Sequence, residues 1–310
     1  MPANLPPEYF NAEKRFKEVS APREKVAALE ALIATVPKHK GTDKLRADLR
    51  RRLSKLREGA VRRKKGGKSD MYSVPKEGAA QVTLAGFANS GKSALVKTLT
   101  NARTVVAAYP ISTVLPLAGM MPYEDIQFQM VDLPPVGNEA TDGWLSAVLR
   151  NSDLILLVVD LSEDPEARAG LLIGELSKWG VLSGKKAVLV AGKLDACKGH
   201  PPLEALKSRY GMRVVAVSSK TKQGLEDLRR AIFEVSGVIR VYSKEPGKEP
   251  DMTVPFTVPK GATVLGLAAL IHKDFKNLKY ACIWGSARFP GQRVQKNHAL
   301  KDMDVVEFHV

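Results

Sequence analysis

The chain has 310 residues, 44% hydrophobic and 26% charged, which excludes a collagen-like or wholly disordered protein. Its longest strictly apolar run, residues 154–159, is far shorter than the roughly 20 residues that cross a bilayer, and the first residues lack the apolar core of a signal peptide. Two cysteines, Cys197 and Cys282, provide neither a disulfide framework nor a metal site. We therefore expect a cytoplasmic protein with reduced thiols and two or three domains.

The formal net charge of +15 is unevenly distributed along the chain. Residues 1–78 contain 20 Lys and Arg against 10 Asp and Glu, residues 79–238 contain 17 against 16, and residues 239–310 contain 11 against 7. The positive excess thus lies in the flanks, above all in the N-terminal one. Such a bias favours a polyanionic partner, most often a nucleic acid, although solubility alone explains part of it.

Residues 1–70 are predicted to form a basic helical hairpin followed by a linker. Apolar residues recur at helical spacing over residues 22–37, a run that begins and ends with proline. Thr42 or Asp43 can cap a second helix, whose apolar stripe consists of four leucines: Leu45, Leu49, Leu53 and Leu56. We expect these stripes to pack against each other or against the rest of the protein, with basic residues such as those at 50–52 mostly off the stripe.

Residues 79–238 alternate between short apolar runs and helical stretches. Five buried strands are predicted, with the sequences QVTLAGF, FQMVDL, DLILLVVD, AVLVAG and RVVAVS. Helices are predicted near residues 92–99, 164–179, 203–209 and 224–235. This alternation predicts an α/β domain with a mostly parallel sheet and helices on both faces. Residues 239–310 instead show several short strands and one helix around 264–272, which is typical of a separate α+β module.

The strongest functional motif lies between the first predicted strand and the helix that follows it. Residues 86–93 read GFANSGKS, in which glycines allow backbone N–H groups to point at phosphate oxygens at a helix start. In such a loop Lys92 reaches the β- and γ-phosphates, and the Ser93 hydroxyl ligates Mg²⁺. The motif predicts a nucleotide site formed by Gly86, Asn89, Ser90, Gly91, Lys92 and Ser93. The alternative is a glycine-rich turn that binds nothing.

Three further motifs follow in the order that a GTPase needs. Asp132 ends the second predicted strand and can hold Mg²⁺ through water. Asp195, which follows the AVLVAG strand, can accept hydrogen bonds from N1–H and the exocyclic amine of guanine, a donor pair that adenine lacks. Ser218, Ser219 and Lys220 follow the next strand and could offer a backbone N–H to O6 of guanine. An aspartate after a strand is usually a helix cap or turn residue, so each motif alone is weak, but four in order predict a guanine site. Its base-binding residues would be Lys193, Asp195, Ser218, Ser219 and Lys220.

On these motifs the sequence resembles the Obg-related GTPases, and most closely the developmentally regulated GTP-binding protein family, from about residue 80 to the end. Residues 107–119, AAYPISTVLPLAG, resemble the family's switch I. This resemblance implies that Thr113 senses Mg²⁺ and the γ-phosphate, with Ser112 as its competitor; otherwise Thr113 is a β-branched residue in an extended loop.

Residues 239–310 resemble a TGS domain, a small β-grasp module shared with threonyl-tRNA synthetases. The matching stretches are IRVYSKEPGKEPD, IHKDF, YACIWG and DMDVVEF. The resemblance implies contact with RNA or the ribosome, while the composition of the module shows only a modest positive balance. His272, His298 and His309 are too scattered along the chain to suggest a metal site.

Three departures from the family pattern affect what can be expected. Pro135 stands where the family has a glycine whose N–H reaches the γ-phosphate, so discrimination between GTP and GDP is blunted or achieved differently. Gly192 replaces the asparagine of the base motif, which should loosen the base loop. Asp132 and Asp195 are too close in sequence to enclose the extra lobe that some family members have between these motifs. The dedicated partner proteins of those members are therefore not expected to bind this chain.

Catalysis is expected to be slow because Val136, and not glutamine, follows residues 132–135, which correspond to the family's switch II, and no local side chain obviously orients water. Lys92, Thr113 and Asn89 are the candidate catalytic residues. Asn89 matches the position at which some related GTPases bind a potassium ion. Its alternative role is that of a loop asparagine hydrogen-bonded to its own backbone.

Together these features predict a cytoplasmic GTP-binding protein that requires Mg²⁺, hydrolyses GTP slowly and acts on ribosomes or structured RNA. The basic hairpin would contact the phosphate backbone without base stacking, because few aromatic residues lie among its charges; otherwise it is a solvated helix face. Three alternatives stay open: a GTP-binding adaptor with little turnover, an RNA-binding scaffold with a vestigial nucleotide site and, least favoured, a P-loop ATPase.

Overall fold

The chain forms two compact units, Met1–Ser73 and Val74–Val310, each described here by itself. The computed structural model describes residues 9, 12, 16, 22–37, 42, 49–53, 72–100, 116–197, 199–271 and 278–309. No helix in these ranges is both long and apolar enough to cross a membrane.

The first unit contains helix α1 (Pro22–Thr35) and a second helical stretch at residues 49–53. Their apolar stripes pack on each other as predicted, in a small core to which the helical residue Tyr9 also contributes; its buried members are Tyr9, Leu29, Leu32, Val36 and Leu49. Thr42 is fully buried between the helices, and its hydroxyl donates to the carbonyl oxygen of Pro37 at 2.6 Å. The predicted positions of Asp43, Leu45 and Leu56 lie outside the described residues.

The second unit begins with a six-stranded sheet in the order β2-β3-β1-β4-β5-β6. Its strands are β1 (Gln81–Ala85), β2 (Leu117–Tyr123), β3 (Ile126–Asp132), β4 (Leu154–Asp160), β5 (Lys186–Gly192) and β6 (Arg213–Ala216). All neighbours are parallel except β2, which pairs antiparallel with β3 at the edge. The five predicted strands are confirmed. Strand β2 was not predicted, because this half-exposed edge strand contains a glycine and a proline and lacks a clear apolar alternation.

Within the described ranges, five helices cover both faces of this sheet, as the fold class predicted. They are α2 (Lys92–Leu99), α3 (Glu139–Asn151), α4 (Pro165–Lys178), α5 (Leu203–Tyr210) and α6 (Leu225–Ser236). Helix α3 was not predicted from the sequence; the Asn138 side chain caps it by accepting from the N–H of Ala140 at 3.1 Å. One core cluster joins the buried faces of α2 and α6 to the central strands, and includes Val82, Leu84, Leu95, Leu156 and Leu228.

A second sheet follows directly after α6, in the order β10-β9-β11-β7-β8. Its strands are β7 (Val238–Lys244), β8 (Phe256–Pro259), β9 (Tyr280–Trp284), β10 (Gln292–Val294) and β11 (Asp304–His309). Helix α7 (Val264–Ile271) packs on one face through Leu267, against Ile283 and Val306 in the same cluster. This is the predicted α+β module; only the three-residue strand β10 was missed.

Candidate nucleotide-binding site

The loops that follow β1, β3, β5 and β6 meet at the carboxyl edge of the parallel sheet, where such folds bind ligands. They line two adjoining cavities of about 770 Å³ and about 350 Å³. The larger one contains the residues after β1 and β3, and the smaller one those after β5 and β6. Ser90, Gly91 and Lys193 line both, so the two cavities form one elongated site.

The loop at residues 86–93 already has the backbone of a phosphate cradle. Asn89 and Gly91 are left-handed, with φ of 61° and 93°, and helix α2 begins at Lys92. A Cβ atom at Gly86 would lie only 2.6 Å from the carbonyl oxygen of Val158 and 2.7 Å from Oγ of Ser90, so no side chain fits there. The left-handed backbone also accounts for an asparagine at position 89 without any bound ion, since asparagine tolerates this conformation.

Lys92 is the buried cation of this loop, with only 6% of its surface exposed. Its Nζ donates to the carbonyl oxygens of Gly86 at 2.8 Å and Phe87 at 2.9 Å, which holds the side chain along the loop. Burial lowers the pKa of Lys92 to about 8, although the nearby Asp132 carboxylate works in the opposite direction. A phosphate group in the cavity would complete the charge balance of this cation.

Asp132 and Ser93 lie together at the mouth of the loop. Burial raises the pKa of Asp132, while a hydrogen bond from Ser93 and the charge of Lys92 oppose that rise. Oδ1 of Asp132 is buried and accepts no hydrogen bond from any described residue. A hydroxyl beside an unsatisfied carboxylate oxygen is a set of hard oxygen donors that fits Mg²⁺. Thr113, the third predicted ligand, and Ser112 lie outside the described residues.

The segment after Asp132 closes one side of the cavity. Pro134 and Pro135 line it, and Pro135 has no N–H to offer to a phosphate. The N–H of Val136 donates to the carbonyl oxygen of Gly86 at 3.1 Å, and only 5% of Val136 is exposed. Val136 therefore fastens this segment to the phosphate loop, and neither its backbone N–H nor its side chain is available to orient a water molecule.

Asp195 is presented at the opposite end of the site by a short 3₁₀ turn, Leu194–Ala196. The buried hydroxyl of Ser218 donates to Oδ1 of Asp195 at 2.6 Å and accepts from the N–H groups of Lys220 at 3.2 Å and Thr221 at 3.0 Å. The hydrogen bond from Ser218 is the main reason why the pKa of Asp195 lies below its usual value. The result is a charged, oriented carboxylate beside a backbone loop, which suits the two donors and the O6 acceptor of guanine.

Asp160 supports this site through Lys193, and sequence reasoning missed it. It ends β4 beside Gly192 of β5, and its carboxylate pairs with the ammonium group of Lys193 and accepts from the backbone N–H of Ser162 at 2.8 Å. Burial raises the pKa of Asp160, but the bonds from Lys193 and Ser162 outweigh it and lower the pKa. Its place at the carboxyl end of a buried strand was the signal that could have revealed it.

Gly192 lies close to the phosphate loop, in the position of the missing asparagine. A Cβ atom there would lie 3.4 Å from the carbonyl oxygens of Ser90 and Val159. Two backbone hydrogen bonds of 3.0 Å hold the loop on either side, from Leu161 N–H to Gly192 and from Leu194 N–H to Val217. The sequence predicts that Gly192 loosens the base loop, and this stays a prediction. Any such loosening would have to overcome these two hydrogen bonds.

Residues 81–193 match the family described as 50S ribosome-binding GTPase, and residues 239–310 match the TGS domain. An uncharacterised GTP-binding protein of Methanocaldococcus jannaschii is 29% identical over 93% of this chain and 93% of its own length. Developmentally regulated G-protein 2 of Arabidopsis thaliana is 26% identical over 92% of this chain and 90% of its own length. The chain therefore contains a GTPase domain and a TGS domain, and relatives that match more than 90% of its length are GTP-binding proteins, among them a developmentally regulated one.

The GTPase-domain match makes guanine nucleotides the ligands of this chain and assigns residues 81–193 to the GTP-hydrolysing enzymes in general. The alignment with the archaeal relative spans 365 positions, more than the 310 residues present here, so that relative contains segments that this chain lacks. Among solved structures, the G domain of the FeoB iron transporter of T. maritima is 30% identical, with a TM-score of 0.43, and covers 51% of this chain and 98% of its own.

A second group of ligand-type side chains lies on the TGS sheet. Candidate ligand atoms of Cys282, Glu307 and His309 all lie within 4.8 Å of one another. The scattered positions of these residues in the sequence did not predict this grouping. Both carboxylate oxygens of Glu307 already have partners, Nζ of Lys244 at 2.8 Å and Nε2 of His309 at 2.7 Å, so its charge is compensated within the protein.

Proposed function

We propose that this protein is a slow, Mg²⁺-dependent GTPase that acts in the cytoplasm as a regulatory factor on ribosomes or structured RNA. The observation that carries the nucleotide part is the pairing, at one sheet edge, of a formed phosphate loop with a carboxylate fixed for guanine. Asp195 supplies that carboxylate and Ser218 fixes it at 2.6 Å. The proposal divides the chain into three functional parts: residues 1–70, 79–238 and 239–310.

The residues of the site divide the work of GTP binding and hydrolysis between them. Lys92 and the backbone N–H groups of residues 86–93 bind the phosphates, and Asp195 with the loop at 218–220 selects guanine. Ser93 and Asp132, joined by Thr113, would hold Mg²⁺, which neutralises negative charge on the β- and γ-phosphates when bound. Positioning and charge neutralisation supply most of the rate in phosphoryl transfer.

Slow turnover is inferred from the closing segment of the site. Pro135 offers no N–H to the γ-phosphate, and Val136 is buried and bonded to Gly86. Water activation would then depend on a group from elsewhere, such as an RNA or protein partner. The same two residues favour the second candidate function, a GTP-binding adaptor with little hydrolysis.

The ribosomal or RNA partner is inferred from the N-terminal unit and the TGS domain. Arg50, Arg51 and Arg52 are exposed on the helical stretch whose Leu49 enters the core. The aromatic ring of Tyr9 is buried in that core, so it is not free to stack on bases. Phosphate-backbone contact on structured RNA is therefore favoured over recognition of single strands.

Calorimetric titration with GTP, GDP and ATP, with and without Mg²⁺, tests the nucleotide part. We expect binding of both guanine nucleotides, a Mg²⁺ requirement that is stronger for GTP, and no competition by ATP. Single-turnover hydrolysis with and without ribosomes then separates a slow GTPase from an adaptor. A folded protein that binds neither GTP nor GDP contradicts the proposal outright.

The role of potassium is tested in the same hydrolysis assay. If Asn89 holds a potassium ion, the rate in K⁺ exceeds the rate in Na⁺, and Asn89→Gly, which keeps the left-handed backbone, removes the difference. Equal rates in the two buffers would leave Asn89 as a loop residue only.

The RNA-binding scaffold is tested separately. If the protein associates with RNA equally well with and without nucleotide, and Lys92→Ala does not change that association, the scaffold is favoured over the GTPase.

A further inference from the structure

An ion-pair network around one buried arginine joins the TGS sheet to the tip of the β2–β3 hairpin. Arg240 of β7 is only 6% exposed. Its guanidinium donates to Asp302 at 2.7 Å and 3.1 Å, to Asp125 at 3.0 Å, and to Glu124. Glu124 and Asp125 are the two residues of the hairpin turn, and Glu124 adopts a left-handed φ of 49°. One cation of the TGS domain thus holds both acidic residues at this turn.

Tyr242, two residues further along β7, adds a second contact to the same turn. It is 2% exposed, and its hydroxyl donates to Oδ2 of Asp125. Burial raises the pKa of Asp125, but the hydrogen bonds from Tyr242 and Arg240 outweigh burial and lower the pKa. The guanidinium carbon of Arg240 also lies 5.0 Å above the ring of Phe233. This contact is desolvated and directional, unlike an exposed surface ion pair.

The other end of the hairpin lies at the phosphate cavity. Strands β2 and β3 pair without interruption from Tyr123 opposite Ile126 to Leu117 opposite Asp132. Leu117 and Asp132 both line the larger cavity. The hairpin therefore spans roughly 20 Å between the TGS contact and the proposed Mg²⁺ residue. A regular two-stranded ladder without a bulge has little freedom to bend between its ends.

We propose that Arg240 and Tyr242 are positioning residues of the nucleotide site, which they influence through the β2–β3 hairpin. They fix the turn, the ladder transmits that constraint to Asp132, and Asp132 is thereby held where it serves Mg²⁺. The inference rests on the proposed function in one respect, namely that Asp132 takes part in binding Mg²⁺ with GTP.

This arrangement couples the TGS domain to the nucleotide thermodynamically. If the contact favours Mg²⁺–GTP binding, then Mg²⁺–GTP must favour the contact to the same extent. A partner that displaces the TGS domain from the hairpin would therefore weaken Mg²⁺–GTP binding. The contact made by the TGS domain would thus depend on whether Mg²⁺–GTP is bound, and a partner of the TGS domain would in turn change the affinity for Mg²⁺–GTP.

A purely structural contact would behave differently from a positioning one. If Arg240 and Tyr242 only held two domains together, removing their bonds would lower thermal stability and affect all nucleotides alike. If they position Asp132, the loss falls on the Mg²⁺-dependent part of GTP binding. The difference between GTP affinity with Mg²⁺ and with EDTA is thus the diagnostic quantity.

The experiment uses mild variants on each side of the contact, because truncating Arg240 would remove the cation that three carboxylates share. Tyr242→Phe and Asp125→Asn are each expected to weaken GTP binding in Mg²⁺ about fivefold, the lower end of usual coupling, with no change in EDTA. The double variant is expected to be no weaker than the stronger single variant, since both remove one contact. Lys244→Ala is the matched control on β7, because its ion pair with Glu307 stays within the TGS sheet.

Two results would overturn the proposal: GTP affinity in Mg²⁺ unchanged in both variants, or equal losses with Mg²⁺ and with EDTA. Thermal denaturation of each variant shows whether it is folded, and Tyr242→Phe leaves the ring and its packing in place. Failure of the proposed function looks different, because the unmodified protein would then bind no GTP or bind it without regard to Mg²⁺.

Discussion

The hydroxyl of Ser218 determines how the base end of the site is built. It is fully buried, donates to Asp195 and accepts from two backbone N–H groups, so three groups depend on one hydroxyl oxygen. We expect Ser218→Ala to weaken GTP and GDP binding by about tenfold each, because a hydrogen bond to a charged group contributes about 1.5–3 kcal/mol. Thr221→Ala, at an exposed position of the same loop, keeps the backbone N–H, so it is the control and should change affinity little. Calorimetric titration with GTP and GDP measures both affinities. A loss of affinity confined to GTP would contradict the assignment of Ser218 to the base end of the site.

The lowered pKa of Lys92 predicts a pH dependence of nucleotide binding. The nucleotide-free side chain has a pKa of about 8, and phosphate binding must raise that pKa because the charged form is the one that binds. Affinity should therefore be flat below pH 7 and fall above pH 8, approaching tenfold per pH unit. Binding near pH 8 should take up protons, which titrations in buffers of different ionisation enthalpy measure. Lys92→Arg, which keeps its charge, should abolish the fall in affinity above pH 8. If the fall persists in this variant, a group other than Lys92 is responsible for it.

At the scale of elements, the segment after β3 restricts how the site can respond to the γ-phosphate. Pro135→Gly restores an N–H at the position where proline has none, so we expect the ratio of GTP to GDP affinity to rise about tenfold, the effect of one charge-assisted hydrogen bond. Pro134→Gly is the matched control, since it introduces the same flexibility one residue earlier. Competition binding with the two nucleotides measures the ratio. An equal rise in both variants would indicate flexibility and not the restored donor.

The elements that the sequence predicted are those whose signal is local. Buried strands such as β4 are continuous apolar runs, and the phosphate loop is one contiguous motif, so both were predictable. Strand β2 was missed because an edge strand lacks that run. Asp160 was missed because its role depends on the register between β4 and β5, which places it beside Gly192 and within reach of Lys193. Register and long-range pairing are properties of the assembled sheet, and periodicity along a single strand does not contain them.

The contact between the TGS sheet and the hairpin was unpredictable for a related reason. Arg240 lies 115 positions from Asp125 in the sequence, and each of them reads as an ordinary charged residue at a strand end or turn. Only the folded chain shows that the guanidinium is desolvated among three carboxylates. Buried charges of this kind are costly unless paired, so their geometry is restrictive. A contact that tolerates only one geometry is what transmission of a conformational constraint between two domains requires.

At the scale of the whole molecule, the charge distribution predicts which surface would contact the proposed RNA partner. Replacing residues 50–52, three exposed arginines, with alanine should weaken binding to ribosomes or structured RNA and reduce the slope of log affinity against log salt by about 2–3. The slope reflects the number of counterions that are released on binding, and each lost phosphate contact lowers that number by about one. The control replaces Lys178, Lys207 and Arg213, three exposed basic residues of the GTPase domain, for the same change in net charge. Sedimentation with ribosomes over a salt series measures both; equal slopes in the two variants would show that net charge, and not the helical surface, drives association.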